Sequence, residues 1–153
     1  MSDPRLHIVL HQPEIPQNTG NIGRTCVAVD AKLWLVRPLG FRIDTHHLRR
    51  AGLDYWNHLD WEVVDDWADL QEKLPGRYWF FSKSATRLYT DVLFEPGDVL
   101  VFGSETQGLP NSLMPPESTL RIPIAGPVRS LNLSTSVGIA AYEPIRQWND
   151  SVT

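Results

Sequence analysis

The sequence predicts an α/β protein with a mostly parallel sheet flanked by helices. Short apolar segments such as Leu6–His11 and Asp98–Phe102 have the length of buried strands, and they alternate with segments that have helical periodicity. Polar loops containing glycine or proline separate these segments. The chain has 153 residues, of which 42% are hydrophobic and 21% charged, as is typical of one globular domain. We therefore expect a single domain over residues 1–153.

The first elements predict a βαβ unit. Leu6–His11 is an apolar run between prolines and is predicted to be a buried strand. Thr19 is expected to cap a helix over Asn21–Asp30, and Lys32–Val36 supplies the second strand. A right-handed crossover is the expected connection between two such parallel strands.

The middle of the chain predicts three further strands and two short helices. One helix is expected after Asp44, ending at Gly52, and the other over Asp66–Leu74, before Pro75 and Gly76. The predicted strands are Trp61–Val64, Tyr78–Phe81 and Asp98–Phe102.

The C-terminal part predicts a last strand, a polar loop and a helix. Leu120, Ile122 and Ile124 alternate with other residues in the two-residue period of a strand. The helical face is formed by Val137, Ala141, Ile145 and Trp148, and the small residues Gly138 and Ala140 favour close packing, which a partner subunit could provide. Pro144 falls inside this helix, where it removes the bond to the Ala140 carbonyl and is expected to bend the helix.

The composition excludes several classes of protein. No apolar run is long enough to cross a membrane, and the first fifteen residues lack a signal-peptide layout, so we expect a cytoplasmic protein. The histidines show no metal-ligand spacing, and Cys26, the single cysteine, is expected to be a buried apolar residue rather than part of a metal site. The net charge of −4 disfavours a general nucleic-acid binder. A local basic cluster that could still meet phosphates consists of Arg42, His46, His47, Arg49 and Arg50.

Three polar loops that contain glycine follow the first, the best and the last predicted strands. They lie near Gly20, Gly103–Gly108 and Gly126. Because the carboxyl ends of parallel strands meet at one edge of a sheet, these loops are expected to converge on a ligand there. Glycine lets the backbone approach a ligand closely, which suits a nucleoside-like cofactor. None of these loops has the glycine spacing of a phosphate-binding or dinucleotide-binding motif.

The same loops carry a resemblance to a known family. The segments PQNTGNIGR (16–24), VFGSETQGLP (101–110) and IPIAGPVRSLNLSTSVGIAAYE (122–143) resemble the three motifs of the SPOUT superfamily of S-adenosylmethionine-dependent RNA methyltransferases. Within that superfamily the short chain, with LRRAGLDYW at 48–56, is similar to the tRNA wobble-position ribose 2′-O-methyltransferases. The resemblance covers nearly the whole chain.

The resemblance implies a fold, a reaction and an assembly. It implies a deep C-terminal trefoil knot and a homodimer whose active site draws residues from both subunits. The implied reaction transfers a methyl group from S-adenosyl-L-methionine to the ribose 2′-hydroxyl of the wobble cytidine or 5-modified uridine, with leucine tRNAs as the expected substrates. No metal and no membrane are expected to take part.

The resemblance also assigns roles to residues of the motifs. The expected catalytic residues are Arg24, Asn21 and Tyr142. The expected cofactor-binding residues are Phe81, Gly103, Glu105, Gly108, Ile122, Ile124, Ser130, Leu131 and Asn132. The expected RNA-binding residues are Asn18, Arg24, Arg49, Arg50 and Arg129.

The reaction leaves alternatives open at several of these positions. Arg24 can act as the base that takes the 2′-hydroxyl proton, or it can stabilise the alkoxide electrostatically, or it can be a solvated helix residue. Glu105 can cap the helix that follows it in the chain or lie near the substrate. Tyr142 can belong to a core or an interface. At the level of function, a methyltransferase for another tRNA position or for ribosomal RNA, and a non-catalytic RNA or cofactor binder, remain alternatives.

Overall fold

The computed structural model describes residues 3–42 and 53–148, and these contain one sheet of seven parallel strands. The order of the strands across the sheet is β3-β2-β1-β6-β4-β7-β5. The strands are β1 (Leu6–His11), β2 (Lys32–Val36), β3 (Trp61–Val64), β4 (Tyr78–Phe81), β5 (Arg87–Leu88), β6 (Asp98–Phe102) and β7 (Thr119–Arg121). The predicted α/β class with a parallel sheet is confirmed.

Three α-helices accompany the sheet in the described part of the chain. They are α1 (Pro16–Val29), α2 (Trp67–Lys73) and α3 (Leu133–Trp148). Helices α1 and α3 pack against each other over one face of the sheet, and α2 lies on the other face. No described helix has the length and apolar character needed to cross a membrane.

Both faces of the central strands are buried, which explains why they read as continuous apolar runs. In β1, Ile8 and Leu10 point into the core beneath α1 and α3, and Val9 points into the core on the side of α2. Cys26 of α1 is fully buried in the first of these cores, where burial raises the pKa of its thiol. The prediction of a buried apolar cysteine is confirmed.

The first helix begins earlier than predicted. It starts at Pro16, so Thr19 lies inside the helix and is fully buried, and the expected cap at Thr19 is wrong. Proline is well accepted at the first position of a helix because its missing N–H would have no helical partner there. The backbone N–H groups of Glu14 and Ile15 are satisfied by a side chain about ninety residues away, described below, which no local pattern could indicate.

The last strand is shorter than predicted, and one strand was missed. β7 ends at Arg121, so Ile122 and Ile124 belong to the following loop although their spacing is that of a strand. The ladder stops there because neither β4 nor β5 extends past its pairing with Leu120 and Arg121. β5 has only two residues, which is too short for any periodicity to appear.

The predicted C-terminal helix is present as α3. Asn132 caps it, because its Oδ1 accepts a hydrogen bond from the Ser134 N–H at 2.9 Å. The helix continues through the buried Pro144 to Trp148. The helix predicted between Asp44 and Gly52 lies outside the described residues.

Candidate active site at the carboxyl ends of the strands

A cavity of about 360 Å³ lies at the carboxyl ends of β4, β6 and β7. The loops that follow these strands form its walls, as the sheet topology predicts. Eight of the nine residues expected to bind a cofactor line it: Phe81, Gly103, Glu105, Gly108, Ile122, Ile124, Ser130 and Leu131. The lining also includes residues that the sequence did not single out, among them Phe102, Leu109, Asn111, Met114 and Ser136.

The loop after β6 folds back tightly on itself. The Gly108 N–H donates to the Ser104 carbonyl at 3.0 Å, and Gly108 has a φ of +67°, a conformation that favours glycine. A Cβ atom on residue 103 would lie 2.1 Å from the Gly108 carbonyl carbon. Gly103 is therefore required by the closed shape of this wall.

Two aromatic rings form an apolar part of the cavity. The rings of Phe81 and Phe102 stack with their centroids 4.7 Å apart and their planes 14° from parallel. Both residues end central strands of the sheet and both line the cavity. The site therefore combines a rigid apolar surface with polar backbone from the glycine loops, a composition that is common in sites for organic cofactors.

Glu105 ties the cavity wall to the start of α1. Its Oε1 accepts a hydrogen bond from the Glu14 N–H at 2.8 Å, and its Oε2 accepts one from the Ile15 N–H at 2.8 Å. The Asn18 side-chain amide donates to the same Oε2 at 3.2 Å. The carboxylate therefore holds the first turn of a distant helix, a role that neither of the two alternatives for Glu105 described.

Glu14 reinforces the same junction from the opposite side and was not among the residues predicted to act in the site. Its Oε1 accepts hydrogen bonds from the Thr106 N–H at 3.1 Å and the Thr106 hydroxyl at 2.6 Å. The Thr106 hydroxyl bond is the main cause that lowers the pKa of Glu14. Its position two residues before Pro16, just ahead of the motif PQNTGNIGR (16–24), is the signal that could have identified it.

Asn18 connects this junction to the third loop. It is 6% exposed, and its Oδ1 accepts a hydrogen bond from the Asn132 side-chain amide at 3.2 Å. Both polar atoms of Asn18 thus form hydrogen bonds within the chain, so its buried side chain positions loops, and the RNA contact expected of it stays a prediction. Asn132 does not line the cavity, because its side chain caps α3 and bonds Asn18.

The expected catalytic residues are exposed side chains on two helices. Asn21 and Arg24 are exposed on α1, and Tyr142 is 51% exposed on α3. None of the three lines the cavity. Arg129, expected to bind RNA, is exposed in the loop before Ser130, while Arg49 and Arg50 lie outside the described residues.

Aromatic residues after the second strand support the helix that carries Arg24. The Tyr55 hydroxyl donates to the Gly20 carbonyl, and burial raises the pKa of Tyr55. A Cβ atom on residue 23 would lie 2.6 Å from the Trp56 ring, so Gly23 allows Trp56 to pack directly on α1. Within the described residues, no three histidine, cysteine or acidic side chains are grouped so that they could hold a metal ion.

Comparison with known proteins identifies the family. Residues 5–142 match the model of the SpoU rRNA Methylase family. A Methylovorus glucosotrophus protein named tRNA (cytidine(34)-2′-O)-methyltransferase is 43% identical over 144 residues, which cover 92% of this chain and 94% of that protein. A protein of the same name from Saccharophagus degradans is 42% identical over 150 residues and has the same coverage.

Solved structures agree with the sequence relatives. One, described as giving insights into the 2-OH methylation of C/U34 on tRNA, superposes with a TM-score of 0.91 at 48% identity and covers 96% of this chain and 99% of its own. An AdoMet-bound rRNA methyltransferase from Sinorhizobium meliloti superposes with a TM-score of 0.83 at 25% identity and covers 95% of this chain and 57% of its own. The family match and the relatives together show that this chain belongs to the SpoU rRNA Methylase family.

Proposed function

We propose that this protein transfers a methyl group from S-adenosyl-L-methionine to the ribose 2′-hydroxyl of nucleotide 34, the wobble position, of tRNA. The main support is the agreement in name of relatives that are 42% and 43% identical over 92% of the chain. The nucleotide would be cytidine or a 5-modified uridine, and leucine tRNAs are the first substrates to test. Such a substrate would place the enzyme in the cytoplasm.

The cavity fits the methyl donor in size and chemistry. Its volume of about 360 Å³ is within the range of small-molecule sites. Close approach of the backbone at Gly103 and the stacked rings of Phe81 and Phe102 would suit an adenosine, which has polar edges and apolar faces. S-adenosylmethionine would supply a methyl group on a sulfonium, which already activates the leaving group for displacement.

The rest of the reaction depends on how this chain orients its substrate and handles one proton. The 2′-hydroxyl must be held in line with the methyl group, and its oxygen becomes a better nucleophile as its proton leaves. We assign the guanidinium of Arg24 to the developing oxygen anion, which it would stabilise by charge and hydrogen bonds. Asn21, one turn before Arg24 on α1, would orient the ribose or Arg24 itself.

We propose that the active site is completed by a second copy of this chain. Arg24 and Tyr142 are exposed and do not line the cavity of their own chain. To act on a bound methyl donor, they would have to lie beside the cavity of a second copy of the chain. The outer surface of α3 carries the apolar side chains of Ile139, which is 36% exposed, and Tyr142. A homodimer that pairs these surfaces would bury them and supply the missing residues in trans.

The function can be tested in cells and with purified protein. Nucleoside mapping of tRNA from cells with and without the gene should show loss of 2′-O-methylation at position 34 only. Purified protein should restore the modification in tRNA from the deletion strain when S-adenosylmethionine is added.

Other outcomes would replace this proposal. Loss of a methyl group at another tRNA position or in ribosomal RNA would keep the reaction and change the substrate. Tight binding of tRNA and methyl donor without turnover, across all candidate RNAs, would make the protein a non-catalytic binder.

A further inference from the structure

One lysine stands out at the rim of the cavity. The chain has three lysines, and two of them form ion pairs, Lys32 with Glu62 at 3.0 Å and Lys73 with Asp69 at 3.5 Å. Lys83 is exposed, lines the cavity and has no ion-pair partner among the described residues. It thus brings an uncompensated positive charge to the site.

The other charged residue of the cavity does not neutralise Lys83. The lining contains one acidic residue, Glu105, whose carboxylate oxygens accept three hydrogen bonds, one from the first turn of α1 and two from the two residues before that helix. The remaining described lining is polar and uncharged or apolar. The charge of Lys83 is therefore available to a ligand.

The loop that carries Lys83 is built to hold its position. The Ser82 N–H donates to the Leu120 carbonyl of β7 at 3.0 Å, which fixes the loop to the sheet. On the other side of Lys83, the Ser84 N–H donates to the Ser82 hydroxyl oxygen at 3.2 Å, and the two hydroxyl groups lie 2.8 Å apart. Lys83 thus lies in a closed turn, residues 82–84, that directly follows Phe81.

Resting on the proposed function, we propose that Lys83 binds the α-carboxylate of the methyl donor and so selects for the amino-acid end of that molecule. S-adenosylmethionine carries two positive groups, the sulfonium and the ammonium, and one negative group, the carboxylate. A lysine repels the first two and attracts the third, so the carboxylate is the charged group of the donor that Lys83 can bind. The ammonium of lysine is a compact charge on a flexible side chain, so it can pair with a carboxylate in several orientations.

The test uses two ligands that differ only in the carboxylate. Calorimetry would measure the binding of S-adenosylhomocysteine and of its decarboxylated analogue, 5′-deoxy-5′-(3-aminopropylthio)adenosine, to the full-length protein. The wild type should bind S-adenosylhomocysteine roughly three- to tenfold more tightly than the analogue, as expected for a partly exposed charge pair. Lys83→Met should lose this preference, and Lys83→Arg should keep most of it.

Lys73→Met is the matched control, because it removes the same charge from a lysine that does not line the cavity. It should bind both ligands as the wild type does. Thermal unfolding of each variant separates a loss of binding from a loss of folding.

The outcomes separate failure of this inference from failure of the proposed function. If the wild type binds neither ligand and methylates no tRNA, the proposed function itself is wrong. If the wild type methylates tRNA and Lys83→Met still prefers the carboxylate, the assignment of Lys83 is wrong. The assignment is also wrong if Lys83→Met leaves both ligand affinities unchanged while weakening tRNA binding and lowering its salt dependence, because Lys83 would then contact a phosphate.

Discussion

Arg24 is the residue on which the proposed chemistry depends most. Because it is proposed to act on the oxygen of the tRNA ribose and not on the methyl donor, its removal should slow the reaction without affecting the binding of the methyl donor. We expect Arg24→Ala to lower methyl transfer at saturating tRNA by about 100-fold or more, the loss typical of removing one group that stabilises a developing oxyanion. Affinity for S-adenosylhomocysteine, measured by calorimetry, should stay at the wild-type value.

The conservative substitution Arg24→Lys tests whether a positive charge alone is sufficient at this position. Arg24→Lys keeps a cation but loses the planar guanidinium, so it should retain only part of the activity. Full activity of Arg24→Ala would show that the catalytic residue has been assigned to the wrong side chain.

His7 gives the stability of the protein a pH dependence. Burial is the main cause that lowers the pKa of His7, and its Nδ1 accepts a hydrogen bond from the Trp34 indole N–H at 3.0 Å. The unfolded chain therefore takes up a proton near pH 6.5 that the folded chain resists, so the free energy of unfolding should decrease as the pH falls through and below that value. Urea unfolding between pH 5 and pH 8 would measure this decrease.

An asparagine at position 7 is the control for this effect. Its side-chain oxygen can accept the Trp34 hydrogen bond but does not titrate. We expect His7→Asn to reduce the acid-side loss of stability, leaving the contribution of His11, whose pKa is also lowered by burial. An unchanged pH dependence in this variant would contradict the assignment to His7.

At the scale of the elements, the junction between α1 and the loop after β6 decides the geometry of the site. Glu105 and Glu14 cross-connect the two segments, and Asn18 extends the connection to Asn132 at the start of α3. These bonds fix the position of α1, the helix that carries Arg24, relative to two walls of the cavity. Positions in different parts of the chain thereby act as one unit.

The far end of α3 is fastened in a different way. The Gln147 side-chain oxygen accepts a hydrogen bond from the Phe94 N–H at 2.9 Å, and its amide donates to the Val92 carbonyl at 2.9 Å. Trp148 adds a bond from its indole N–H to the Phe94 carbonyl at 2.9 Å. The C-terminal helix is thus joined to the segment that leads into β6.

Removing the Gln147 side chain should destabilise the fold. In Gln147→Ala, the backbone groups of the buried residues Val92 and Phe94 lose their partners, so we expect the free energy of unfolding to fall by roughly 1–3 kcal/mol. Denaturant unfolding would measure the change, with the exposed Gln17→Ala as a control of near-wild-type stability. A Gln147→Ala protein as stable as the wild type would show that water replaces both bonds.

At the scale of the whole molecule, the proposed homodimer determines whether the site is complete. Ile139 is an exposed apolar residue on α3, near Tyr142, and would be buried between two copies of the chain. We expect Ile139→Asp to shift the protein from dimer to monomer in sedimentation experiments and to abolish methyl transfer. A buried unpaired carboxylate at such a contact is costly.

Leu93 provides a matched control for this substitution. It is 81% exposed and lies on the segment bound by Gln147, a residue about two helical turns after Ile139 in α3. Leu93→Asp introduces the same charge and should remain dimeric and active. If Ile139→Asp is also dimeric and active, the subunits must meet through another surface or work alone.

Two expectations about the whole chain stay predictions. One is that residues 1–153 form a single domain. The other is the trefoil knot, in which the C-terminal helix would be threaded through a preceding loop. The bonds from Gln147 and Trp148 show where the end of that helix is attached, and the resemblance to knotted enzymes is the basis for the threading.

The sequence by itself determined five of the seven strands and the loops that surround the site. The strands Leu6–His11, Lys32–Val36, Trp61–Val64, Tyr78–Phe81 and Asp98–Phe102 have the bounds that were predicted. Burial on both faces can be recognised in the local sequence, because most residues of such a strand are apolar. Turns that need glycine can also be recognised in the sequence, and Gly108, with its φ of +67°, is an example.

Only the tertiary structure decided where α1 begins, where β7 ends and which side chains join the cavity walls. The carboxylate of Glu105 meets the Glu14 N–H 91 positions away, and the Asn132 amide meets Asn18 across 114 positions. Local periodicity carries no information about such partners, because each of these residues is also compatible with an exposed loop. The separation of Arg24 from the cavity of its own chain belongs to the same class, since it follows from the packing of α1 against α3 on the sheet. Contacts between distant segments arise only when the chain folds, and here they set the position of α1 relative to the loops that form the cavity walls.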